Sequence, residues 1–247
     1  MKAIADSSVT WLGHAGFMIK TPTSATIMID PWLESPNFPE EFRGGNLPKP
    51  DLVLVTHGHF DHAASAPDLL KQSNAKVVCI FEVGEWIKSQ GVPDDQIIQM
   101  NKGGTVEVID GISVTMVNAD HSSGCPGQHG LLIGGAPAGF VVSIKNGPTF
   151  YHAGDTNVFG DMRLISELYA PQVALLPIGG HFTMGPKEAA YALNKLLLSV
   201  QTLIPMHYGT FPLLKGTPEE VSQQLQRKVS IRAMFTGESL SFDTLLH

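Results

Sequence analysis

Within six residues, His57, His59, Asp61 and His62 bring together three imidazoles and a carboxylate. That density of metal-capable side chains is too high for an ordinary polar turn. The apolar run 51–56 ahead of the cluster reads as a buried strand. Behind it, Ser65 and Pro67 carry helix-start chemistry. The cluster therefore occupies a turn at the carboxyl end of a strand, where open α/β sheets place their ligands. Side chains alternate along extended backbone, so positions 57 and 59 project to one side. Asp61 and His62 diverge as the chain turns, toward a second ion. Two imidazoles on one metal, with a carboxylate and an imidazole on another, make a two-metal layout suited to hydrolysis.

Such a centre needs more ligands than one turn supplies, and the remaining histidines recur in one kind of place. Run 112–117 leads to Asp120 and His121, 148–152 to Asp155, 173–178 to His181, and 202–206 to His207. Each follows a β-like run and lies close to glycine or serine; glycine lets another group approach closely. Independent core histidines would not follow this rule. Strand-end placement predicts that these residues converge on one edge.

The ordered set His57, His59, Asp61, His62, His121, Asp155 and His207 resembles the metallo-β-lactamase-fold hydrolase superfamily, over essentially the whole chain. The segments Trp11-Leu12-Gly13-His14-Ala15-Gly16-Phe17, 151–156 and 179–186 resemble a prokaryotic branch called metal-dependent hydrolases. That branch is similar to ascorbate-6-phosphate lactonases and to the phospholipase D that hydrolyses N-acylphosphatidylethanolamine. The resemblance implies an α/β fold, a four-layer αββα sandwich with two half-sheets facing each other. It implies His57, His59 and His121 at a first metal, Asp61, His62 and His207 at a second, and Asp155 as the bridging carboxylate. A metal-bridging hydroxide would then attack a small ester, lactone or phosphodiester, since a single zinc already lowers the pKa of its water to about 7. Asp61 serves either as a ligand or as a hydrogen-bond partner of that nucleophile. With imidazoles and carboxylates but no thiolate, the set suits zinc by default, and also manganese, iron or nickel.

His181 lies outside that set. It follows a strand on a double glycine and reads as a substrate-binding or proton-donating residue. His14 sits in a tight turn between two strands and either borders the site or is structural. His152 reads as a hydrogen-bonding residue behind the ligands, and His129 and His247 as surface residues. Two other functions use the same scaffold. A di-iron oxidoreductase typically carries Glu where this chain has His59, and needs an electron-supplying partner domain; neither is seen here. A catalytically silent metal-binding sensor has no need of a bridging carboxylate.

A single domain over residues 1–247 is expected, because ligand candidates run from 57 to 207 and no linker-like stretch divides them. Strands are read at 9–12, 17–20, 25–29 and 76–81, and helices at 68–72, 82–90, 161–168, 186–198 and 218–227. The stretch 31–50 is too rich in proline for a helix or a central strand. Its Trp32, Phe38 and Phe42 either cap an apolar substrate or a neighbouring subunit of a homo-oligomer, or pack on their own domain.

A formal charge of −7 and a pI of about 5.8 weigh against nucleic acid as the main partner. A small-molecule substrate is expected, and a phosphate ester stays compatible because two cations reverse the local field. No apolar run approaches the roughly 18–20 residues that span a bilayer, so membrane insertion is not expected. Residues 1–6 lack the apolar stretch of a secretory signal. Cys79 and Cys125 are too few for a disulfide framework. A cytoplasmic location is the simplest expectation. Cys125, near His121 in sequence, either approaches the site or is a small packing or loop residue.

Overall fold

The computed structural model describes residues 7–246. The segment 1–6 and His247, both read above from sequence, lie outside them. Strands β1 (Ser8–Gly13), β2 (Gly16–Lys20) and β3 (Thr26–Ile29) form an antiparallel meander. After the proline-rich loop, β4 (Leu52–Leu54) pairs with β3 in parallel. Two short helices, α1 (Phe60–Ala63) and α2 (Ala66–Lys71), lead to β5 (Lys76–Ile80). Helix α3 (Phe81–Ser89) crosses to β6 (Ile97–Met100), and β4 to β6 are parallel.

The second half repeats this plan. Strands β7 (Thr105–Ile109) and β8 (Ile112–Asn118) are followed by a separate hairpin, β9 (Gly124–Gly127) and β10 (Gly130–Ile133). Strands β11 (Ala138–Ile144) and β12 (Thr149–His152) complete an antiparallel set with β8. Parallel crossovers follow through α4 (Met162–Tyr169), β13 (Val173–Pro177), α5 (Pro186–Lys195), β14 (Thr202–Met206), α6 (Pro218–Gln224) and β15 (Ser230–Ile231). Strand β16 (Ser239–Ser241) returns to pair with β1, and α7 (Phe242–Leu246) follows. The sheet orders are β16-β1-β2-β3-β4-β5-β6 and β15-β14-β13-β12-β11-β8-β7.

Alternation along the strands explains the layering. Phe17, Ile19, Ile27 and Ile29 of the first sheet share one core with Phe140, Val142, Val173 and Leu175 of the second. The intervening residues face outward on both sheets. Val141, Ala174 and Leu176 pack under Ile165 of α4 and Leu193 of α5, while Leu12, Met18 and Met28 pack against Phe38 of the proline-rich loop. The chain is thus the four-layer αββα sandwich that the resemblance implied. Strands buried on both faces read as near-continuous apolar runs, which is why β13 and β14 are legible as strands.

Some boundaries differ from the sequence reading. Run 76–81 stops as a strand at Ile80, and Phe81 opens α3. The stretch 218–227 leaves the helix at Leu225, which turns extended. Ser65 does not cap α2 with its side chain; its Oγ accepts the Leu33 N–H at 2.9 Å, tying the proline-rich loop to the segment behind the histidine turn. Trp32 and Phe38 are buried; Phe38, with Phe42 beside it, packs on the chain's own first sheet, whereas Trp32 packs against His14, Phe60 and Phe211.

Candidate metal centre

Every residue of the centre leaves the carboxyl end of a strand. His14 follows β1, Asp30 follows β3, and the 57–62 turn follows β4. His121 follows β8, Asp155 follows β12, and His207 follows β14. Because the two sheets pack face to face, these ends meet along one edge. The backbone pays locally for this arrangement. His14, Asp30, His181 and His207 all hold positive φ, between 45° and 62°, a conformation that costs about 1–3 kcal/mol and tends to cluster at functional sites. Gly58, between the first two histidines, is required by close approach: a Cβ there would stand 2.6 Å from Cys125 Sγ and 3.0 Å from Cys125 N. Cys125 is fully buried under that turn, and burial pushes its thiol up to about 11; it is a packing residue.

Asp30, which sequence reasoning missed, orients two of the imidazoles. It is fully buried, accepting the Thr56 N–H at 2.8 Å and the Thr56 hydroxyl at 2.6 Å. With its only proton given to Asp30, the Thr56 Oγ1 accepts from His57 Nδ1 at 3.0 Å. Asp30 Oδ2 also accepts from His62 Nδ1 at 2.7 Å. Both imidazoles therefore carry their proton on Nδ1 and turn Nε2 toward the site. This is how carboxylates behind metal-binding histidines select the tautomer.

Two four-residue donor groups result. His57, His59, His121 and Asp155 offer atoms within 4.8 Å of one another, and so do His14, Asp61, His62 and His207. A third and smaller group, Asp30, His57 and His62, meets the same limit and is the set already linked through Thr56 and the two Nδ1 atoms. The seven residues singled out from sequence all fall in these groups, and His14 joins the second. Its Nε2 lies 3.0 Å from Asp61 Oδ2, its Nδ1 lies 2.9 Å from Thr210 Oγ1, and its ring sits 4.0 Å from that of His207. Asp155 stands between the groups: Oδ1 is 3.3 Å from His62 Nε2, while Oδ2 is 3.1 Å from His207 Nε2 and 3.5 Å from His121 Nε2.

The electrostatics suit cations. Burial lowers His57 well below the ordinary imidazole range, lowers His59 and His121, and brings His14 down to about 4. Neutral imidazoles present lone pairs. Burial opposes ionisation of Asp61 and Asp155, but the surrounding imidazoles outweigh it and hold both carboxyls below their usual range. His62 is the exception: burial pulls it down, yet Asp155, Asp30 and Asp61 together raise it well above normal. Its Nε2 and Asp155 Oδ1 are buried and lack hydrogen-bond geometry to any partner among the described residues. Two such orphaned atoms, facing each other amid imidazoles and carboxylates, fit a divalent ion between them.

The other candidates lie around this set. His152 is fully buried, with Nε2 2.9 Å from the Ala15 carbonyl and Nδ1 accepting the Gly154 N–H at 3.1 Å, so it braces the turn that carries Asp155. His129 is exposed in the turn between β9 and β10. His181 is exposed, and it belongs to neither donor group. Its ring packs edge-on against Phe182 at 4.4 Å, and Phe182, not His181, lines the cavity over the centre. That cavity has a volume of about 830 Å³, with His59, Asp61, His121, Asp155 and His207 in its lining.

Residues 25–208 match the beta-lactamase superfamily domain. A UPF0173 metal-dependent hydrolase of Koribacter versatilis is 46% identical, with 94% of this chain and 97% of the relative covered. One from Rubrobacter xylanophilus is 48% identical, with 96% and 97% covered. Among solved structures, Igni18 from the archaeon Ignicoccus hospitalis, described as a novel metallo hydrolase, superposes with a TM-score of 0.81 at 36% identity, covering 95% of this chain and 97% of its own. Two facing mixed sheets with histidines and aspartates gathered at their strand ends are the architecture of that superfamily. The chain belongs to it, within the group of its UPF0173 relatives.

Proposed function

We propose that the chain is a metal-dependent hydrolase that holds two divalent ions and cleaves a small ester, a lactone or a phosphodiester. Zinc is the default ion, with manganese, iron or nickel as alternatives. The position of Asp155 carries this reading: one carboxylate reaches His62 and His207 of one donor group and His121 of the other. The names of the bacterial relatives, and the description of the archaeal structure as a metallo hydrolase, support it. His57, His59 and His121 would hold one ion, Asp61, His62, His207 and His14 would surround the other, and Asp155 would serve both.

Bound there, two divalent cations supply a water of lowered pKa and a Lewis-acid pull on the substrate oxygen. The chain's own groups do the rest. Asp155 and Asp61, kept ionised, offset the positive charge and orient a water on the cavity side. Asp30, through Thr56 and directly, keeps the His57 and His62 lone pairs turned inward. His181 acts from the rim, as a proton donor to the leaving group or as a contact to substrate. No helix among the described residues is long and apolar enough to cross a membrane.

Metal analysis of the purified chain beside an Asp155→Ala variant tests the assignment. The expected result is two ions in the parent, fewer than two in the variant, and no hydrolysis by the variant. Full occupancy with near-normal turnover would remove Asp155 from the shared position.

A further inference from the structure

The cavity over the centre has two unlike halves. Its floor is formed by donor residues, whereas its walls are apolar: Phe60 from α1, Leu131 from β10, Phe182 from the loop after β13, and Phe211 and Leu213 from the loop after β14. Four of these are large hydrophobics left open to solvent: Leu131 at 77%, Phe60 at 53%, Phe182 at 52% and Leu213 at 49%. They come from separate stretches of chain yet surround one mouth, which is how apolar binding sites differ from scattered surface hydrophobics.

The wall is also built from behind. Trp32, buried in the proline-rich loop, meets Phe60 edge-on at 5.5 Å and Phe211 at 5.9 Å, with His14 edge-on at 5.3 Å. The aromatics are therefore held in place rather than free to collapse. No lysine or arginine lines this cavity among the described residues, and outside the donor groups its only polar side chain is Ser122. Away from the ions held at the floor, an anionic group would find no protein cation on these walls, whereas an alkyl or aryl group finds an apolar surface running up to the donor residues.

From this we propose that the substrate is an uncharged ester or lactone bearing an alkyl or aryl substituent of several carbons, with that substituent on the Phe60–Leu131–Phe182–Leu213 wall. This rests on the hydrolase reading above and selects among its substrates: carboxylic esters and lactones over phosphodiesters.

The test uses the full chain loaded with zinc or with manganese, offered p-nitrophenyl esters from acetate to octanoate, alkyl-substituted γ-lactones and bis(p-nitrophenyl) phosphate. A separate binding measurement follows displacement of the uncharged dye N-phenyl-1-naphthylamine by straight-chain alcohols of increasing length. The expected kcat/KM rises with each methylene by up to about fourfold, the ceiling set by full burial of a CH2 group, and the phosphodiester trails the longer esters. Dye displacement should strengthen along the same series. Leu131→Ser, Phe182→Ser and Leu213→Ser should flatten both slopes while metal content holds.

Turnover that is flat in chain length, or a preference for the phosphodiester, would overturn the proposal and leave the hydrolase reading standing. Chain-length-dependent displacement without turnover of any substrate would support the apolar site and sink the hydrolase reading instead. If displacement too were flat, both would fail. If the serine variants converted a dimer to a monomer in sedimentation and left displacement unchanged, the wall would be a subunit interface and the proposal would fall.

Discussion

Asp30 decides which nitrogen of two histidines carries a proton, although it stands behind the donor groups rather than between them. Its carboxylate takes the Thr56 hydroxyl proton and the His62 Nδ1 proton, and Thr56 passes the effect on to His57. Replacing such a partner typically costs 10–100-fold in metal affinity. Asp30→Asn should therefore weaken metal binding by about that factor in a chelator competition titration while the chain stays folded. Unchanged affinity would mean that packing alone sets the ring orientations. His181 calls for a different measurement, because it sits one residue from a cavity-lining side chain and outside both donor groups. If it protonates the leaving group, His181→Ala should keep its metal and lose on the order of 10²–10⁴ in kcat/KM. The loss should shrink for nitrophenolate leaving groups, which need little protonation. A uniform loss would indicate positioning of substrate, and a loss of metal would make His181 a ligand.

At the scale of elements, the histidine turn is pressed between β4 and the β9–β10 hairpin. Gly58 is the point of contact: Cys125 Sγ, Cys125 N and Gly124 C all lie within 3.2 Å of where its Cβ would be. Two of these are backbone atoms that no rotamer change can move. Gly58→Ala should cost about 1–3 kcal/mol, the usual range for overpacking, read as a lower urea midpoint at unchanged slope. A midpoint equal to that of the parent would show that the hairpin yields. The same hairpin carries Leu131 into the cavity wall, so one supersecondary unit both backs the metal turn and shapes the substrate approach. Its four-residue strands and glycine-rich turn have too little apolar alternation to read as strands from sequence, whereas the helices of the second half stand out by their 3.6-residue spacing.

The whole molecule brings the two donor sets together across the sheet interface. The 57–62 turn and His14 belong to the first sheet, while His121, Asp155 and His207 belong to the second. Ions bound between them would tie one sheet to the other, stabilising the folded chain by about 2.7 kcal/mol per site at a hundredfold excess over Kd. Removing metal with EDTA should accordingly lower Tm by several degrees in calorimetry, and zinc or manganese should restore it. No change in Tm would mean that the sheets hold together independently of the centre. The amino-acid sequence alone determined the strand ends and the residue types waiting there, because strand periodicity and ligand spacing are local properties of a chain. That is why residue type and spacing suffice to bring the 57–62 turn, His121, Asp155 and His207 to one edge, although the same rule also pointed to His181, which is exposed and joins neither donor group. The tertiary structure decided what depends on contacts between distant segments: the place of His14 beside Asp61, 47 residues away, and the hold of Asp30 on a histidine 32 residues away. It also decided that Trp32 supports the cavity wall instead of capping it. Such roles follow from which side chains meet when two sheets pack face to face, and no local pattern of residues encodes that meeting.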